Sequence, residues 1–391
     1  MKFVHTADCH VGAWRDAALA DLNVKSFLEM VAYSVKEHVD FVLISGDLFN
    51  TSMPGFDAMK TVVEQLKLLK ENNIRVYMIA GSHDYSPSGK TILDVLVAAG
   101  LAVHIGVDTL ITDASGVMIM GISGRKGMLD KAQYKNLNVN QLREKQGYKI
   151  FMFHTAIEEL MPKAFEKMEM MPLHYLPQGF DYYAGGHVHI IKEEQFETYG
   201  DVVYPGPLFP NSFSELEGLQ HGGFSVVEDG KTKYIPLQLK PVVAIKADCD
   251  GLRPEQAYEA IRELMLKENL NGAIVLLRVI GTLEEGTVAD VNLKDLVAFA
   301  REQGTYALLK NTVKLQSKTF ETTDVEVKDV ETLERELIEK HLGQVTVEEM
   351  GDEKQMIVTL MHILDKEKPE GQTKTIFEEK LLSEIKEIMR L

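Results

Sequence analysis

Cysteine is almost absent: Cys9 and Cys249 are the only two in 391 residues. Two isolated thiols exclude a disulfide framework and a CxxC metal site, and they fit a reducing cytoplasm. Long apolar runs are missing too. No stretch approaches the roughly eighteen residues that a membrane-spanning helix needs. The opening MKFVHTADCHVG has neither the basic stretch nor the long apolar segment of a signal peptide, and reads as a first strand. Positive charge is in short supply. The net charge is −17, and the deficit is shared. Residues 246–391 carry 20 basic and 30 acidic side chains, leaving 22 and 29 for residues 1–245. Such a chain has no general basic footprint for nucleic acid, so a DNA substrate would need a local patch, bound metal or a partner.

What is present is a sizeable apolar fraction, 45%, with 26% charged residues, enough for two or three domains. Over the first 240 residues, short apolar runs alternate with amphipathic stretches, which predicts an α/β sandwich. Strands are expected at Lys2–His5, Phe41–Ile44, Val76–Ile79, Val117–Gly121 and Ile150–Phe153. Helices are expected at Leu22–Glu37, Phe56–Asn72, Thr91–Ala99 and Leu129–Lys145. After His154 the pattern turns β-rich, and Asp229-Gly230 marks a hairpin turn. Near Lys240-Pro241 the character changes. A small α+β unit follows over 242–325, then a charged, helical region over 329–391. In that last region Leu381, Leu382, Ile385, Ile388 and Met389 recur at helical spacing beyond a Pro/Gly-containing linker. Such a stripe suits either intramolecular packing or a partner's groove.

Five short segments hold the chemical signal: Asp8-Cys9-His10, Gly46-Asp47, Gly81-Ser82-His83-Asp84, His154, and Gly186-His187-Val188-His189. Each follows an expected strand at or near its carboxyl end, where functional groups of α/β sheets gather. Imidazole and carboxylate together suit hard or borderline divalent cations. In Asp8-x-His10 and His187-x-His189, period-two alternation along extended backbone would turn both ligands the same way. Glycine at 46, 81 and 186 allows close backbone approach or positive φ. Any one segment alone is a weak signal; five in order at strand ends form a strong one. Cys9, between two candidate ligands, is expected to face the other way as a packing thiol.

The ordered set resembles the calcineurin-like metallophosphoesterases. The texts HTADCHVG, LISGDLFN, IAGSHDYS and GGHVH further resemble the SbcD / Mre-eleven type of DNA double-strand-break repair nuclease. The resemblance implies a two-sheet metallophosphoesterase sandwich over 1–240, a capping, DNA-binding domain over 242–325 and a helical ATPase-binding region over 329–391. It also implies two divalent ions, usually manganese. Asp8, His10 and His189 would hold one, His154 and His187 the other, with Asp47 between them. His83 would face the substrate phosphate and Asp84 would orient its ring. The implied partners are DNA ends or hairpins, a coiled-coil ATPase of the SbcC / Rad-fifty type, and a second copy of the chain. Two departures stand out. Ser82 replaces an asparagine that serves the family as a ligand, and Asn50 replaces a frequent histidine. Arg125 and Lys126 are the expected basic contacts to DNA. The alternatives are another calcineurin-like phosphatase or cyclic phosphodiesterase, and a weakly catalytic scaffold that tethers DNA ends.

Overall fold

A computed structural model describes residues 1–85, 90–125, 131–139, 142, 145–165, 168–318, 359–360, 363 and 374–389. By its internal contacts the chain forms two compact units. The first comprises 1–248, 258–279 and 292–313; the second comprises 249–257, 280–291 and 314–391.

The strands are β1 (Lys2–Thr6), β2 (Phe41–Ser45), β3 (Arg75–Ile79), β4 (Val103–His104), β5 (Ile111–Thr112), β6 (Met118–Gly121), β7 (Lys149–His154), β8 (Tyr182–Gly186), β9 (Ile191–Gln195), β10 (Asp201–Pro205), β11 (Gly222–Glu228), β12 (Lys231–Leu237), β13 (Val242–Asp248), β14 (Ile274–Leu283) and β15 (Ala307–Ser317). The helices are α1 (Ala17–Lys36), α2 (Phe56–Glu71), α3 (Leu93–Ala98), α4 (Lys131–Asn136), α5 (Phe213–Leu219), α6 (Pro254–Leu266), α7 (Leu293–Glu302) and α8 (Lys374–Met389).

Two six-stranded sheets, in the orders β12-β11-β1-β2-β3-β4 and β5-β6-β7-β8-β10-β9, build the α/β sandwich that the alternating pattern predicts. Within them β1 to β4 run parallel, as do β6, β7, β8 and β10. Parallel strands are covered on both faces and so are apolar throughout. Phe3, Phe41, Leu43, Tyr77 and Ile79 meet Ile150, Met152, Tyr182 and Ala184 in one buried layer between the sheets. Val4, Val42, Ile44, Val76 and Met78, one residue out of phase, pack under Phe27, Met30, Leu66 and Leu93 of the outer helices. Phe151, Phe153 and Tyr183 do the same on the far side of the second sheet. A further cluster joins Leu19 and Leu22 of α1 to Leu216, Ile274, Leu276 and Ala307.

Helix α1 begins five residues before the expected Leu22. Asp16 caps it, its carboxylate accepting from the Ala18 and Leu19 amides at 3.0 and 3.1 Å. Of the expected helix Leu129–Lys145, the described residues show α4, with residues 137–139 non-helical. Asparagines at 136 and 138 and the β-branched Val139 explain the stop, because both types disfavour helix interiors. A three-stranded sheet β13-β14-β15 with α6 and α7 follows Pro241, as the α+β pattern there predicts. Among the described residues no helix is long and apolar enough to cross a membrane.

Candidate metal centre

The carboxyl ends of β1, β2, β3, β7 and β8 lie side by side in the two sheets, and the five motif segments leave from them. Three groups of ligand atoms converge there: Asp8, His10 and His189; His10, Asp47 and His83; and Asp47, His154 and His187. Within each group the atoms lie within 4.8 Å of one another. His10 and His189 face each other with Nε2 atoms 3.0 Å apart, and Asp8 Oδ1 lies 3.7 Å from His189 Nε2. Asp47 Oδ2 is 3.2 Å from His154 Nε2 and 3.9 Å from His10 Nε2, so this carboxylate lies between the outer groups. Asp8, His10, Asp47 and His154 are each no more than 2% exposed.

Strand alternation does not produce this convergence. β1 ends at Thr6 and β8 at Gly186, before the ligands. Instead Asp8 (φ 49), His10 (φ 43), Asp47 (φ 51), His187 (φ 99) and His189 (φ 50) all take left-handed backbone, which is costly for residues other than glycine. Main-chain bonds hold these turns. Asp8 N donates to Gly46 O at 3.1 Å, His10 N to Asp47 O at 3.0 Å, and His187 N to both Asp8 carboxylate oxygens at 3.0 Å. Gly46 (φ 88) leaves room for the imidazole behind it, since a Cβ there would sit 2.2 Å from His154 Nδ1. At Gly81 the same addition would lie 2.3 Å from Asp47 Oδ1.

Hydrogen bonds settle the ring orientations. His154 Nδ1 donates to Ser45 O at 2.8 Å, which leaves Nε2 facing Asp47. His83 Nδ1 donates to the main-chain carbonyl of Asn50 at 2.8 Å. Asp84 therefore does not orient that ring, contrary to the expectation from resemblance. Asp84 is fully buried and its carboxylate accepts from the amides of Gly81 at 2.9 Å and Phe49 at 3.4 Å, bracing the loops that carry Asp47 and His83. Burial, then the Asp47 charge, raise the Asp84 carboxyl to about 7. Ser82 Oγ donates to Asp47 Oδ2 at 3.4 Å, and His83 N donates to Asp47 Oδ1 at 2.7 Å.

Burial pushes His10 and His187 down to about 3, and neighbouring imidazoles add to the effect, so both rings keep free lone pairs. At Asp47, burial works against the charge, but His154 and His10 outweigh it and hold the carboxyl well below its ordinary range. The charged or chargeable neighbours of these two buried carboxylates are imidazoles; among the described residues neither Asp8 nor Asp47 pairs with a lysine or arginine. Buried anions without a fixed cation are costly. This donor set of imidazole and carboxylate fits divalent metal ions.

The remaining sequence candidates divide. Arg125 lies beyond Gly124, whose position abuts His154, and its guanidinium sits 5.2 Å over the Tyr85 ring. Lys126 lies outside the described residues. Cys9 is buried in the apolar layer beneath α1 and α2, and burial lifts its thiol to about 12, as a packing role requires. Outside those candidates, Trp14, four residues after His10, donates from Nε1 to Pro210 O at 3.0 Å and packs beside Leu19 and Leu22. Of the C-terminal stripe, Leu381 and Ile385 are half-buried and Leu382 is exposed; the side chains of Ile388 and Met389 lie outside the described residues. Sequence reasoning missed Glu215, which accepts from His189 Nδ1 at 3.0 Å. Its legible trace was Ser212-x-x-Glu215, a helix-start pattern.

Residues 1–190 match the family described as calcineurin-like phosphoesterase. Three curated proteins named DNA double-strand break repair protein Mre11 are similar over different spans. The one from Methanococcus maripaludis is 33% identical over 204 residues, 48% of this chain and 52% of that one, so that match spans about half of each. The one from Methanocaldococcus jannaschii is 30% identical over 261 residues, 64% of this chain and 67% of that one. The one from Archaeoglobus fulgidus is 22% identical over 422 residues, covering 99% and 90%.

Proposed function

Since the chain belongs to the calcineurin-like phosphoesterases, and within them to the Mre11 type of double-strand-break repair nuclease, we propose that it is the metal-dependent nuclease subunit of a DNA-end-processing complex. The observation that carries this reading is the convergence of Asp8, His10, Asp47, His83, His154, His187 and His189 into overlapping ligand groups. One divalent ion would be held by Asp8, His10 and His189. A second would be held by His154 and His187, with Asp47 shared and Ser82 reaching it through water. We take the ions to be manganese, as the resemblance implies; a donor set of imidazole and carboxylate accepts divalent ions of this kind. Bound ions of this kind polarise a phosphodiester and activate water for in-line attack.

The protein's own groups do the rest. Asp47 supplies the negative charge between the two ligand groups, and the amide of residue 83 keeps it aimed. His83, anchored through Nδ1, presents Nε2 to the phosphate. As an imidazolium it would stabilise charge there and pass a proton to the leaving sugar oxygen.

The reading assigns 1–240 to catalysis, 242–325 to a DNA-facing cap and 329–391 to the ATPase partner. Arg125, one residue beyond Gly124 and over the Tyr85 ring, suits a phosphate contact. Phe56 and Met53, 90% and 83% exposed at and before the start of α2, suit a second copy of the chain. α8, with Leu382 56% exposed, suits a coiled-coil ATPase, which would also supply the positive surface this acidic chain lacks. Two buried cysteines, neither in a disulfide, are in keeping with a cytoplasmic setting.

The test is to incubate the purified chain with manganese and three substrates: linear duplex, a DNA hairpin and a generic phosphomonoester. Chelator-sensitive cutting of DNA is expected. Hydrolysis of the phosphomonoester with both DNAs untouched would overturn the nuclease reading.

A further inference from the structure

We propose that Glu215 is a positioning residue for His189, dictating which ring nitrogen that histidine offers to the metal centre; the proposal builds on the metal-dependent reading above. His189 Nδ1 lies 3.0 Å from Glu215 Oε2. An ionised carboxylate can only accept, so Nδ1 carries a hydrogen and Nε2 is the nitrogen left to offer a lone pair. That lone pair is directed at the space shared with His10 Nε2, 3.0 Å away, and Asp8 Oδ1, 3.7 Å away. A carboxylate behind a ligating imidazole fixes the ring's tautomer and orientation and raises its basicity.

Glu215 is itself tightly placed. Its Oε2 also accepts from the Asn211 amide at 2.8 Å, and its Oε1 from Ser212 Oγ at 3.1 Å. The Glu215 amide donates back to Ser212 Oγ at 3.2 Å. This is a capping box in which the glutamate reaches the amide one residue before the cap. α5 is then clamped from its other side. Glu217 forms a paired contact with Arg278 of β14, at 2.9 Å to Nε and 2.6 Å to Nη2, and the same guanidinium lies 4.9 Å over the Phe213 ring. A seven-residue helix that would be marginal alone is thereby held, with its first turn against His189.

The competing explanation is that Glu215 only caps α5. Capping needs the bonds to Asn211 and Ser212, not the bond to His189. Three full-length variants separate the two roles. Glu215→Ala removes the acceptor; Glu215→Gln keeps an acceptor but loses the charge; Ser212→Ala weakens the cap and drops the bond to Oε1, while the Oε2 bonds to His189 and the Asn211 amide stay in place. Two readouts apply: manganese titration by calorimetry, and histidine-ring nitrogen NMR of the metal-free protein.

In Glu215→Ala, one of the two binding steps should weaken by about 10–100-fold, the usual cost of removing such a partner. The His189 ring should also lose its fixed Nδ1–H tautomer. Glu215→Gln should fall between this variant and the parent. Ser212→Ala should melt earlier yet hold its metal and its tautomer. Equal weakening in Glu215→Ala and Ser212→Ala, or an unchanged tautomer in Glu215→Ala, would reduce Glu215 to a helix cap. If the parent protein takes up no manganese, the metal-dependent reading fails. The NMR measurement, made without metal, still decides whether Glu215 sets the tautomer.

Discussion

His83 reaches across to Asn50 and donates from Nδ1 to its main-chain carbonyl at 2.8 Å. The anchor is backbone, so the side chain at position 50 does not supply it. The same residue's amide holds Asp47, while its ring also lies in a ligand group with His10 and Asp47. Two roles, substrate group and metal ligand, therefore compete for His83. As a substrate group, His83→Ala should lower turnover about 10²–10⁴-fold with the bound metal unchanged. Asn50→Ala should leave the His83 anchor in place and turnover much less affected. Elemental analysis showing an ion lost in His83→Ala would make His83 a ligand.

Asp47 is the carboxylate common to two ligand groups. Asp47→Asn keeps the shape and most hydrogen bonds but removes the charge shared between the ions. Turnover should vanish and bound metal should fall, with circular dichroism showing the fold intact. Full activity in this variant would end the two-ion assignment.

Ser82 hangs its hydroxyl on Asp47 at 3.4 Å, where the family carries an asparagine ligand. Ser82→Asn extends a carbonyl oxygen toward the same place. Activity should then saturate at lower manganese concentration. Superimposable titration curves for the two proteins would show that the serine is already adequate, or that position 82 is not part of the site.

The left-handed ligands should leave a trace in stability. His187, at φ 99, lies outside even the small left-handed well that ordinary residues reach. Backbone of this kind costs on the order of 1–3 kcal/mol, and glycine escapes most of it. In the metal-free state His187→Gly should therefore melt above His187→Ala by an amount matching about 1 kcal/mol or more. The usual order, alanine above glycine, would show that the turn relaxes without its ligand.

The last test concerns the tail. Removing residues 374–391 should spare metal binding and cleavage of short, flexible DNA. It should weaken complex formation with the coiled-coil ATPase and any ATP-dependent cutting of duplex ends. Co-purification at full yield would return the Leu381, Leu382 and Ile385 stripe to intramolecular packing.

Much of this is legible in the sequence alone. The parallel strands announce themselves because chain buried on both faces must be apolar throughout, as Phe41–Ser45 is. The ligand segments are legible because they combine side chains of distinctive chemistry with a fixed place at strand ends. β4 and β5 are two residues each and offer no periodicity to read. α5 was missed for a related reason, since seven residues make too few turns to show an apolar stripe.

The sequence by itself determined which side chains are available for metal chemistry, because ligand identity is a property of residues and order. Only the tertiary structure decided how they are aimed. Asp84 sits next to His83 in the chain yet turns into the core, and the partner of the His83 ring is a carbonyl 33 positions away. Glu215 stands behind His189 from 26 positions further on. Orientation of a ring depends on which acceptor folding brings to its second nitrogen. A main-chain carbonyl, which every residue carries, leaves no mark in a sequence.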